Sequence, residues 1–138
     1  MFFPPTERLK RGRAAVICCP DPECLRCVSA CAFGAIKIGK DGLPVSDPDR
    51  CVGCGGCTAI CPEAAVRLFK DRGDGTFELT FPYCGELPEI DGLLEVSPLP
   101  GMEKASVRVL QAIPKRPNAE NALIRAALPK SSLSDIFA

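Results

Sequence analysis

The sequence contains no histidine among its 138 residues. That removes the commonest metal ligand and general base. With it go His-ligated haem, Rieske centres, mixed Cys/His zinc sites and Ser/His/Asp catalysis. No apolar run approaches the roughly 18 residues needed to span a bilayer. The opening residues, Met1-Phe2-Phe3-Pro4-Pro5-Thr6-Glu7-Arg8, lack the apolar stretch of an export signal. Net charge is missing too: 17 basic residues balance 17 acidic ones, so no basic field would draw nucleic acid. No Gly-x-Gly-x-x-Gly or P-loop run is present. These absences point to a cytoplasmic protein that does not span a membrane, does not bind nucleic acid and catalyses nothing alone.

What the sequence has in abundance is cysteine, 10 residues in all. Nine lie between Cys18 and Cys61. A disulfide scaffold would need an oxidising compartment, so metal binding is the better reading. Cys24-Leu25-Arg26-Cys27-Val28-Ser29-Ala30-Cys31 repeats 30 residues later as Cys54-Gly55-Gly56-Cys57-Thr58-Ala59-Ile60-Cys61. Each copy reads as ligand loop, short helix, turn and short strand. The strands are Ile36–Ile38 and Val66–Phe69, with further ones at Ala14–Cys18 and Leu43–Ser46.

The run Cys51-x2-Cys54-x2-Cys57-x3-Cys61-Pro62 has the spacing of a bacterial iron–sulfur signature, in which the fourth cysteine serves the other cluster. Three thiolates two residues apart on an irregular loop can reach three corners of a cubane. Gly53, Gly55 and Gly56 allow the backbone that such a loop needs. A closed zinc site would instead use two Cys-x2-Cys pairs. The first copy is less regular. Asp21 stands where its first cysteine belongs, and the loop from Cys19 to Cys24 is two residues longer. Ala32 replaces the proline. Cys19 is preferred over Cys18 as the first ligand, since Cys18 ends an apolar strand and can serve as a buried thiol. Asp21 as ligand, or a three-iron cluster, are the alternatives.

On these motifs, residues 14–70 resemble the bacterial-type 2[4Fe–4S] ferredoxin domain. The resemblance implies an α+β fold with pseudo-two-fold symmetry and crossed ligation. Cys19, Cys24, Cys27 and Cys61 would hold cluster one, and Cys51, Cys54, Cys57 and Cys31 cluster two. The domain's function would be one-electron transfer. Cys84 is left over and is expected to be a plain thiol.

Two segments flank this domain. Residues 1–13 read as a basic, solvated arm. Residues 71–138 read as an irregular extension, because seven prolines forbid long regular elements. Strands are expected at Thr76–Phe81, Leu93–Val96 and Ser106–Ile113, and a short helix from Asn118 to Leu128. Charge is segregated: residues 73–103 hold seven acids and no base, and residues 104–130 six bases and one acid. Either the two stretches pair, or one faces a partner. A small ferredoxin needs no such extension, and free carriers are usually acidic. The expected role is therefore the small iron–sulfur subunit of a hetero-oligomeric oxidoreductase, docked through residues 71–138 on a larger redox protein. A flavin-dependent dehydrogenase and a 2-oxoacid oxidoreductase are examples of such a partner. The alternatives are a free carrier and a structural or regulatory module stapled by metal.

Overall fold

A computed structural model describes residues 4, 6–17, 26–61, 65–99, 102–117 and 119–133. The proposed ligands Cys19 and Cys24, with Cys18 and Asp21, lie outside the described residues. The fold is mixed and sheet-rich, with few helices.

The chain begins with helix α1 (Thr6–Arg11) and strand β1 (Ala14–Ile17). Helix α2 (Arg26–Ala30) and strands β2 (Ile36–Ile38) and β3 (Pro44–Ser46) follow. Next come α3 (Gly56–Ile60), β4 (Val66–Asp71), β5 (Thr76–Tyr83), β6 (Leu93–Val96), β7 (Ala105–Ile113) and β8 (Ala122–Pro129). A 3-10 turn closes the described chain at Lys130–Leu133. The 30-residue offset of the sequence recurs in the element starts: α2 and α3 begin at 26 and 56, β2 and β4 at 36 and 66, β1 and β3 at 14 and 44.

Six strands form one antiparallel sheet in the order β1-β4-β5-β8-β7-β6, and β2 and β3 form a separate hairpin. β1 lies on β4 with Ala14 opposite Phe69, and β5 lies on β8 along eight residues from Thr76–Pro129 to Tyr83–Ala122. All four residues of β1 are buried because it has a core on each face. Ala14 and Val16 join Leu9, Phe69, Phe77, Leu79 and Ile124. Ala15 and Ile17 face the cysteine side with Cys27, Ile36, Cys57, Cys61, Val66 and Leu68. The period of two along a strand divides one short apolar run between two cores.

Three expectations need correction. Residues 118–128 do not form a helix: Ala122–Pro129 is a central strand. Both faces of β8 are buried, so its apolar run shows no alternation, and such a run cannot be told from a buried helix by period. The extension is regular rather than irregular, with strands of eight, four, nine and eight residues. Two of its prolines sit where a missing N–H costs little. Pro129 ends β8, and Pro82 lies beyond the part of β5 that pairs with β4. Finally, residues 6–11 are not a solvated arm, for Leu9 has no exposed surface and packs in the main core.

Candidate iron–sulfur site

The loop before α3 is shaped by glycine. Gly53 (φ 73°) and Gly55 (φ 85°) take left-handed backbone that other residues resist. At Gly53 a side chain would also strike Arg13, whose carbonyl oxygen would lie 2.9 Å from the added Cβ. The loop thus turns tightly and carries Cys51, Cys54 and Cys57 past one recess.

Four thiols line that recess: Cys31, Cys51, Cys54 and Cys57. Ala15, Ile36 and Leu68 supply its apolar wall, and its empty space is about 330 Å³ counted out to solvent. Cys57 is buried and Cys54 exposed. Burial pushes the Cys57 thiol up to about 12, and the neighbouring Cys51 and Cys54 add to the effect. Burial and mutual repulsion of thiolates thus disfavour the ionised form of Cys57, and positive iron would hold it as a thiolate. No three His, Cys, Asp or Glu side chains among the described residues gather as the ligands of one metal ion would. A cubane makes no such demand, because its four irons take one thiolate each at separate corners. The hydroxyl of Ser46 completes the fit. It is buried, lines the recess and has no hydrogen-bond partner among the described residues. Buried donors rarely lack an acceptor, and a cluster sulfur would supply one.

Of the other proposed set, Cys27 and Cys61 are both buried in the cysteine-side core. Cys61 Sγ accepts a hydrogen bond from Ala65 N at 3.4 Å, and Cys31 Sγ accepts one from Ala35 N at 3.4 Å, 30 residues earlier. Cys84 lies apart, exposed, with its Sγ 3.9 Å from Asn121 Oδ1. No disulfide joins the cysteines among the described residues.

Residues outside the cysteine motifs hold the site in place, and sequence reasoning missed them. Arg8 donates to the carbonyls of Cys51 (2.7 Å), Pro48, Gly12 and Arg13, tying α1 to the ligand loop. Arg13 pairs with Glu78 of β5 at 2.5 Å. Asn121, buried at the start of β8, donates through Nδ2 to Thr58 O (3.1 Å) and Cys61 O (2.8 Å). The amides of Glu120 and Asn121 both donate to Ala59 O. Arg26 pairs with Glu120 at 3.0 Å.

A glycine-turned recess walled by four thiols, with a buried hydroxyl lining it, defines an iron–sulfur protein. Comparison with known proteins agrees. Residues 19–65 match the family model of the 4Fe-4S dicluster domain. An uncharacterized ferredoxin of Methanocaldococcus jannaschii is 38% identical over 50 residues, which is 36% of this chain and 81% of that protein. The chain belongs to the 4Fe-4S dicluster ferredoxin family. It is also similar to one component of the Na(+)-translocating ferredoxin:NAD(+) oxidoreductase complex of Acetobacterium woodii, 48% identical over 45 residues. There the match covers 33% of this chain but only 14% of the relative. "Ferredoxin 7Fe" of Hydrogenibacillus schlegelii is 42% identical over 40 residues, 29% of this chain and 50% of that protein. No solved structure matches. Residues 19–65 are thus a ferredoxin-type 4Fe-4S domain, and no helix among the described residues is long and apolar enough to cross a membrane.

Proposed function

We propose that the chain passes single electrons through two [4Fe–4S] clusters, as a non-catalytic iron–sulfur subunit of a multi-subunit oxidoreductase. The observation that carries this reading is the composition of the recess. It joins Cys31 of the first repeat to Cys51, Cys54 and Cys57 of the second, the crossed set that two interlocked clusters require. Cluster two is assigned to these four residues. Cluster one is assigned to Cys19, Cys24, Cys27 and Cys61, related to the other by pseudo-two-fold symmetry. The clusters supply reversible one-electron chemistry; the protein supplies thiolates, hydrogen bonds and burial.

The subunit role is supported by relatives whose names place them in oxidoreductase complexes, such as the Acetobacterium woodii protein. Residues 71–138 lie outside the family match and are proposed to dock the larger redox protein. The organic chemistry would then belong to that partner, and the assembly would be cytoplasmic. A free carrier is the second reading, favoured by the Methanocaldococcus jannaschii ferredoxin, of which the match covers 81%.

Iron and sulfide analysis with EPR on anaerobic protein, before and after dithionite, tests the proposal. About eight irons and a spin-coupled reduced spectrum are expected. About seven irons with a three-iron signal when oxidised would overturn cluster one as assigned. About four irons, or zinc, would overturn the relay. Co-purification with a larger redox protein separates the subunit from the free carrier.

A further inference from the structure

Cys54 lines a second cavity as well as the cluster recess. This one is an open groove. The ligand loop forms one wall with Cys54, Gly55 and Ala59, and the extension forms the other with Gln111, Arg116 and Arg125. We propose that this groove is the port through which cluster two exchanges electrons with an acidic redox protein. The proposal rests on the electron-transfer reading above.

Two observations carry it. The first is the position of Cys54. Its thiol is exposed, with the recess on one side and the groove on the other. Electron-transfer rates fall steeply with distance, so a redox centre seated in the groove would meet cluster two across one ligand. The second is charge. Among the bases of residues 104–130, Arg108 pairs with Asp91 (3.2 Å), Arg125 with Glu78 (3.8 Å) and Lys130 with Asp71 (2.9 Å). Of the other three, Lys104 does not line the groove, whereas Lys115 and Arg116 are exposed and have no ion-pair partner among the described residues. Both lie on the β7–β8 connection, where Arg116 lines the groove. No acid among the described residues lines it. Glu120, the one acid of that stretch, is paired with Arg26. Arg125, which lines the groove, shares its partner Glu78 with Arg13. Arg116 and its neighbour Lys115 put unpaired positive charge beside the exposed ligand, and carboxylates on a partner are its complement.

The test uses the full, cluster-loaded chain and the variant Lys115→Glu/Arg116→Glu, both reduced with dithionite. Reoxidation is timed in stopped flow with anionic ferricyanide, cationic hexaamminecobalt(III) and an acidic flavodoxin. At low salt the variant should react about tenfold more slowly with ferricyanide and with flavodoxin, and faster with the cobalt complex. In about 0.5 M salt the differences should collapse. Equal rates for variant and parent, or the same change with both small oxidants, would overturn the port. A protein that dithionite cannot reduce would instead overturn the electron-transfer reading on which the port rests.

Discussion

Replacing Asn121 by alanine tests how the extension supports the site. Its Nδ2 is the side-chain donor to Thr58 O and Cys61 O, at the end of α3. The surroundings are buried, so water cannot readily take over. Leaving a buried acceptor unpaired costs about 1–3 kcal/mol. Two acceptors therefore set the loss at about 2–4 kcal/mol, allowing that one carbonyl finds a substitute. The backbone bonds from Glu120 N and Asn121 N to Ala59 O survive the change, which keeps the strand in place and isolates the side chain. Asn121→Asp should be worse, since it turns a second acceptor on the two carbonyls. Cys84→Ala loses only the 3.9 Å contact to Oδ1 and should fall within about 0.5 kcal/mol of the parent. Urea unfolding of anaerobic holoprotein, followed by cluster absorbance, gives the three values from the shift in midpoint. An alanine variant as stable as the parent, or an aspartate variant more stable than the alanine one, would refute the reasoning.

Leu9→Ala should cost about 2–5 kcal/mol, because Leu9 has no exposed surface; Lys10→Ala, one residue on and exposed, should cost less than about 0.5 kcal/mol, and thermal melts of both variants check the contrast. Ser46→Ala removes the unpaired hydroxyl from the recess; the reduction potential of one cluster should fall by about 40 mV, the weight of a hydrogen bond near 1 kcal/mol, with no loss of stability, as read by EPR-monitored titration. Asp71 is held below its ordinary value by the Lys130 ammonium and the Gly73 amide. A carboxylate depressed in the fold stabilises it above the unfolded value near 3.9, and that stability is lost as pH falls through the folded value. The parent's advantage over Asp71→Asn in urea should thus be constant from about pH 8 to about pH 5 and shrink below it.

The cysteine half of the molecule was legible because its constraints are local. Spacing and repeat pointed to α2, α3 and β2 and to the clustered Cys51, Cys54 and Cys57, and the family resemblance added Cys31 to them. The strands Leu93–Val96 and Thr76 onward were equally readable from composition. What failed was set by distant partners. Ala122–Pro129 is a strand because β5 and β7 flank it, and nothing within those eight residues announces that. Leu9 looks like one apolar residue in a charged run until Val16 and Phe69 close over it. Arg8 and Asn121 act through carbonyls that no motif marks.

The two-faced pair β1 and β4 bears on modular use of such proteins. A protein engineer wanting the smallest portable electron-carrying cassette would cut after residue 70, a few residues past the end of the family match. That cut would sever β4 before its last residue and strip β5 from its flank. It would also bare Leu9, Val16 and Phe69, the underside of the strands whose upper side carries the thiols. The cassette therefore cannot be lifted out whole, and lineages that gained or lost the later strands would have had to repaint that underside with polar residues at the same time.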